Sequence, residues 1–430
     1  MHFRIPRPGA LLALLALLPA AACKDQTPTL TGDPFFPGGS RPVTLEAIIP
    51  ASQFLTTVGM FSGYEKPNTF SSQIVANQFG GALSAHPLQR YAIPKTIDYS
   101  VNGVATVDSL YAIQSARLVV VVDSLGSNVA NTTLQLYPIT QAYDWLSATW
   151  TLAVDSGSVH TPWTEPGGTK GPLLATGTWV PHTAGDTVLM PIDTARLRAL
   201  RPDSMPVLLA TSAAGTRLQL TSTVLRLTVK PSNAGKDTTF SVDVGPTRNT
   251  FVFTPQPPDA AGNFQAGGIL ADRTLFSVNL DQPLPGCAPA DAPCPTVSLK
   301  DVELNRVSLL LRPLPVPNGF QALRSVPLAL WLVREPELGR RAPLVTSRVT
   351  GTSALDSITV FHAPADSVVE LPFTLQTALQ VQSDTLQVNF ALLGEVAGGA
   401  ASLRTFGLGR YEPTPRLRIV YTLPIRPNLP

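Results

Sequence analysis

The chain has 430 residues, with 31 Lys and Arg against 29 Asp and Glu, and only 14% of its side chains are charged. An average soluble domain carries about a quarter, so this balance excludes the basic excess or stripe that nucleic acid demands. No polyacidic tail and no basic amphipathic helix points to a charged partner. The 42 prolines and the dominance of Val and Leu among apolar residues predict many short strands joined by turns, in a chain long enough for two or three cores.

The first predicted element is a leader over residues 1–22. MHFRIPRPG carries Arg4 and Arg7 and no acid, and ALLALLALLPAAA follows as an apolar run from Ala10 to Ala22. About 20 residues are needed to cross a bilayer as a helix, so this run is too short. It has the form of a secretory signal. Removing Arg4 and Arg7 lowers the 31 basic side chains to 29, level with the 29 acidic ones. Cys23 stands directly after Ala20-Ala21-Ala22, with Leu18 upstream.

That arrangement resembles the bacterial lipoprotein signal, although Ala20 stands where Leu is commoner. The resemblance implies that Cys23 becomes the first mature residue, that its thiol and freed amine are acylated, and that membrane lipid is a partner. Two or more acyl chains give stable anchoring, each buried CH₂ contributing about 0.8 kcal/mol. Lys24, rather than Asp, follows Cys23, which by similarity to Gram-negative sorting favours the outer membrane or cell surface over the inner membrane. Residues 23–42, rich in Pro, Gly and Thr, read as a flexible tether.

From there the chain reads as strands. SARLVVVVDS (115–124), TTLQLYPIT (132–140), DTVLMPI (186–192), MPVLLATS (205–212) and TVLRLTVKP (223–231) occupy the first half. RTLFSVNL (273–280), NRVSLLLRPL (305–314), VPLALWLV (326–333), SVVELPF (367–373), DTLQVNFALL (384–393) and TPRLRIVYTLP (414–424) occupy the second. Several alternate apolar and polar, which gives each strand an inward and an outward face. Short helices are predicted at 193–202, capped by Asp193, and at 374–380. Both follow a strand and precede another, so one ancestral unit is read as duplicated: 43–231 and 239–424, joined by a linker at 232–238. The predicted fold is all-β, with two tandem jelly-roll-like antiparallel β-sandwiches and a few short helices. Cys287 and Cys294 in GCAPADAPCP are spaced for a local disulfide in an oxidising compartment. Two free thiols and half of a metal site are the alternatives.

Copy one contains YPITQAYDWLSATWTLAVD, then Asp193-Thr194 on a later strand, then Leu225-Arg226-Leu227-Thr228-Val229; copy two closes on Pro415-Arg416-Leu417-Arg418-Ile419-Val420-Tyr421. Trp145, Thr149 and Trp150 with these pieces resemble the DNRLRE-type domains, β-sandwich modules related to the family-96 carbohydrate-binding modules. Copy two lacks the paired tryptophans, having only Trp331 nearby, and neither copy shows the family's name motif. The resemblance implies jelly-roll sandwiches, some of which bind polysaccharide, with Trp145 and Trp150 packed inside.

Signals of chemistry are sparse. His86, His160, His182 and His362 lie far apart in sequence, and no nucleophile elbow, zinc-protease or phosphate-loop motif occurs. Each histidine reads as a surface or loop residue. Glu335 and Glu337 read as a solvated turn at Pro336 rather than a hydrolytic pair, and no catalytic residue, metal or cofactor is assigned. Trp163 and Trp179 flank a Gly- and Pro-rich loop and are the candidate ligand-binding residues, stacking a sugar ring; the competing reading has them closing the sandwich edge. Phe61, Tyr64 and Phe70, around GMFSGYEKPNTF, are ambiguous in the same way. Three functions follow in order: non-catalytic binding or adhesion to polysaccharide or a surface component, a structural or assembly lipoprotein with an envelope-protein partner, and a carbohydrate-active enzyme.

Overall fold

The computed structural model describes residues 42–423 apart from 64–65, 71, 102, 129–130, 182–185, 200–203, 233–237, 258, 261, 280, 288–293, 322–325, 346–355, 361–366, 374–386 and 395–405. The leader, Cys23, the tether up to residue 41 and the expected helix at 374–380 lie outside the described residues, as do Tyr64, His182 and His362. Among the described residues no helix is long and apolar enough to cross a membrane.

The protein is all-β. In chain order, β1 (Thr44–Pro50) and β2 (Leu55–Phe61) flank the single turn α1 (Ala51–Phe54); β3 (Gln73–Phe79) and β4 (Leu83–Tyr91) form a hairpin, as do β5 (Ile97–Val101) and β6 (Val104–Asp108). β7 (Ala112–Asp123) and β8 (Thr132–Pro138) precede a second small hairpin, β9 (Leu152–Ser156) and β10 (Val159–Pro162). Then come β11 (Ala175–Trp179), β12 (Thr187–Ile192), helix α2 (Thr194–Ala199), β13 (Met205–Thr211) and the long β14 (Thr216–Lys230). Asp193 caps α2 as expected, its carboxylate accepting the Ala195 N–H at 2.9 Å.

The second half repeats the plan. β15 (Phe240–Val244), β16 (Arg248–Phe253), β17 (Phe264–Gly267) and β18 (Arg273–Asn279) are followed by the short pair β19 (Pro283–Pro285) and β20 (Thr296–Ser298). The Cys287–Cys294 disulfide closes that pair. β21 (Glu303–Leu311), β22 (Val326–Leu332), β23 (Asp356–Val360), β24 (Val369–Phe373), β25 (Gln387–Gly394), β26 (Leu408–Tyr411) and β27 (Arg416–Thr422) complete it.

All the pairings are antiparallel, and their order is the same in both units. In the second, one layer runs β23-β22-β25-β18-β2 and the other β24-β21-β27-β1. In the first, β11-β8-β13-β4-β16 matches the one and β12-β7-β14-β15 the other, with β3 pairing both β4 and β14 to join the layers. Each sandwich buries its own core. Leu118, Val120, Leu136, Leu209, Leu225 and Leu227 are among the first, and Leu309, Leu330, Phe390, Leu417, Ile419 and Tyr421 among the second.

The strand partners do not respect the sequence boundaries at 231 and 239. β1 and β2, the opening strands of copy one, pair with β27 and β18 in the second sandwich. β15 and β16, the opening strands of copy two, pair with β14 and β4 in the first. Each copy therefore donates its first two strands to the other. The donated strands carry buried anchors: Ile49 and, from the connecting turn, Phe54 enter the second core, and Phe251 and Val252 are fully buried on the first unit. Fully burying one such side chain contributes about 1.5–3 kcal/mol, and a whole domain is stable by only about 5–15 kcal/mol.

The two units meet in an aromatic junction. Phe70 stacks on Phe406 at 5.1 Å and meets Phe251 edge-on at 5.5 Å. Beside it the β3–β4 turn presses against the backbone at Gly319, where a Cβ would lie 2.7 Å from Leu83 N and 2.8 Å from Phe79 O. Only glycine fits that approach. Asp272, 3% exposed, lies at the same junction, where the Ser62 hydroxyl donates to it and Asp259, held by Arg410, is its acidic neighbour. Burial, chiefly, and Asp259 push its carboxyl up to about 6.

Two predictions follow. Fragments 43–231 and 239–424 each lack the strands they receive, so each alone should be protease-labile and unfold in urea without cooperativity. Mixing them should restore a cooperative transition, and residues 72–256 alone should show one too. Asp272 is raised above its unfolded value of 3.8, so its contribution is intact below about pH 4 and lost as pH rises through about 6. The penalty at neutral pH is about 3 kcal/mol. Asp272→Asn should be more stable than the parent at pH 8 and show a flatter stability profile between pH 4 and 6, measured by urea midpoints.

Candidate functional site

Functional side chains must stand on faces the two cores leave open. In the first unit, the outward side of β4, β8, β13 and β16 is covered by the excursion between β8 and β11, residues 139–174. A satellite cluster forms under it from Leu88, Ile139, Tyr143, Trp163, Leu208 and Val252. Trp163 is 5% exposed and its indole N–H donates to Thr149 O at 2.9 Å. Trp179, at the end of β11, points the other way into the main core and is 1% exposed.

The expected sugar-stacking pair is thus inside the protein. The reason is strand parity: in β11 the burial alternates, so Ala175, Gly177 and Trp179 all face inward. The Gly-Pro loop that was expected to expose Trp163 instead seals it. Gly167 adopts φ +84 and sits so close to Trp150 and His86 that a Cβ would lie 2.7 Å from the indole. The Gly167 N–H donates to Trp150 O at 2.7 Å, and His86 Nδ1 donates to Gly167 O at 2.8 Å. His86 is buried rather than on the surface; desolvation pushes it down to about 4 and keeps it neutral. His160 is exposed and bonds Asp155 at 2.8 Å.

Trp145 and Trp150, expected to be packed inside the sandwich, are half-buried on this outer face, where they pack against the satellite cluster. The Arg248 guanidinium lies 4.8 Å from the Trp145 ring centroid. Arg90, directly opposite Arg248 across the β4–β16 ladder, lies 5.7 Å from the Tyr143 ring, and Lys170 lies 5.5 Å from Tyr137. Burial pushes the Tyr143 hydroxyl up to about 12 and, as desolvation, pulls Lys170 down. The result is a surface on which half-buried Tyr137, Trp145 and Trp150, with Tyr143 buried beneath, lie beside three cations. Such a surface can stack an apolar sugar face while its cations and the exposed Thr149 side bond hydroxyls or carboxylates. Arg248 belongs to a donated strand, so the site needs both copies.

Other sequence candidates separate. Glu335 and Glu337 are both exposed on a short 3-10 turn, Pro336–Arg341, that covers the outer face of β18, β22 and β25. Phe61 packs half-buried there and Phe70 is buried in the junction. Among the described residues no group of three or more His, Cys, Asp or Glu side chains could hold a metal ion.

No protein-family model matches the chain, and no curated protein does. A solved structure described as that of infectious bursal disease virus Gt strain aligns at 10% identity, over 89% of this chain and 72% of that one, with a TM-score of 0.13. At that score it supports no argument about fold or function.

Because Trp163 and Trp179 are packing residues, replacing either with Ala should cost about 3–5 kcal/mol. Trp145→Ala, at a half-exposed ring, should cost far less. Urea unfolding of the three variants measures the difference.

Proposed function

We propose that this chain is an envelope lipoprotein, anchored through acylated Cys23, whose interlocked pair of β-sandwiches is a non-catalytic binding or adhesion module for polysaccharide. The observation that carries the reading is the half-buried Trp145 ring with the Arg248 guanidinium 4.8 Å from its centroid, beside half-buried Trp150 and the Arg90–Tyr143 pair. A rigid β surface of rings and cations suits a repeating polymer, since each unit adds a weak contact and many together retain it. The resemblance of copy one to DNRLRE-type modules points the same way, with the roles of its tryptophans exchanged.

A second reading, a structural or assembly lipoprotein, draws on the β5–β6 hairpin. Val104, Val107 and Leu110 stand exposed there at 66%, 68% and 79%, as apolar side chains do at protein contacts.

Cells making the full chain with labelled palmitate, followed by pull-down of the extracted protein on acidic and neutral polysaccharide matrices, tests the proposal. Label should incorporate and vanish in Cys23→Ser. Retention on the neutral matrices should fall at least tenfold in Trp145→Ala and Arg248→Ala and be unchanged in Leu110→Ser. Retention there that survives both platform substitutions refutes the reading of this face as a glycan platform.

A further inference from the structure

The two copies share an interior, which makes each an internal control for the outer surface of the other. On the outward face of the β24-β21-β27-β1 layer, charges form one row across the strands. Arg418 bonds Glu46 at 2.9 and 3.1 Å and reaches across fully buried Ser308 to Glu370 at 3.3 Å, while Arg306 meets Glu370 at 2.9 Å. Every charge in that row is compensated. Beyond it, where β1 ends and β27 begins, the compensation stops. Arg416 has no carboxylate partner among the described residues, and Arg312 has only Glu412, at a long 3.9 Å.

Arg312 and Arg416 flank a groove of about 370 Å³. Ser52 and Thr414 add hydroxyl groups, Leu310 and Val368 supply apolar surface, and Glu412, at 3.9 Å from Arg312, is the one acid among the described residues that line it. The fold does not require this. Aligning Leu417 with Leu225, each paired with its own neighbour (Leu309 and Leu118), places Val224 at the position of Arg416 and Val121 at that of Arg312. The first unit builds the same layer with valines there, so the paired guanidinium groups answer something other than sheet formation.

We infer that this groove is a second binding site, independent of the Trp145 face, that takes one acidic sugar residue. Its carboxylate meets the Arg312 and Arg416 guanidinium groups, which suit planar oxyanions. The ring hydroxyls meet Ser52 and Thr414, and the apolar ring face lies on Leu310 and Val368. The groove has room for one sugar residue. Ser52 lies on the segment copy one donates, so exchange of strands assembles this site as well.

Titration calorimetry on the full mature chain, with Cys23→Ser to keep it in solution and Trp145→Ala and Arg248→Ala to silence the platform of the first unit, tests the inference. The probes are a galacturonate trisaccharide, the matching neutral galactose trisaccharide and inorganic phosphate. The acidic trisaccharide should bind, weaken with added salt, and lose at least tenfold in affinity in Arg416→Val and in Arg312→Val, the residues the first unit carries. Thr414→Ala should weaken it less. Equal affinity for the neutral trisaccharide, or phosphate binding as tight as the uronate, overturns the assignment. So does an absence of uronate binding in this background, or binding that Arg416→Val and Arg312→Val leave intact.

Discussion

The exchange of opening strands is the constraint from which the rest of the structure follows. β1 and β2 complete the second sandwich, and β15 and β16 complete the first. Neither copy can satisfy its sheet edges or fill its core from its own residues, so each sandwich forms only from strands of both copies. Exposed sheet edges are templates for unwanted pairing, and here the exchange covers an edge strand in each layer of each sandwich. It also forces the connections to cross between units, where the Phe70–Phe251–Phe406 cluster fills the space they leave.

The interior is conserved between the copies and the exterior is not. Corresponding strands put Leu118, Val120, Leu225 and Leu227 in one core and Leu309, Leu311, Leu417 and Ile419 in the other. Close packing holds those positions to branched apolar residues. Outward positions face water and are free to diverge. The first unit carries the ring-and-cation surface around Trp145 over its β4–β16 layer; the second covers the equivalent layer with the 336–341 turn and has Arg312 and Arg416 beside a groove on the opposite one. The two units share a scaffold, and different faces of it carry different chemistry.

Of the two readings open for Trp163 and Trp179, stacking a ligand and closing the sandwich, the structure selects the second. A Gly- and Pro-rich neighbourhood suggests exposure, yet Gly167 is there because the loop packs directly on Trp150 and His86. A loop that covers a sheet face needs glycine for close approach as much as a loop in solvent needs it for turning. Burial of Trp179 was legible in principle, since Ala175, Gly177 and Trp179 share the inward parity of β11. The platform residue Arg248 carried no signal, because its ring partner lies about a hundred positions away and comes near only through a donated strand.

The sequence by itself determined the all-β class, many of the strands, the capped helix and the local disulfide. Each rests on interactions between residues close in the chain: alternation along a strand, a side chain bonding backbone two positions on, two thiols eight positions inclusive. Tertiary structure alone decided which strands pair, how deeply each tryptophan is buried and which arginines line a groove. Alternation states that a strand has an inner face without naming the sheet that receives it. The free energy that selects the partner comes from long-range burial, of Ile49 and Phe54 in one unit and Phe251 and Val252 in the other.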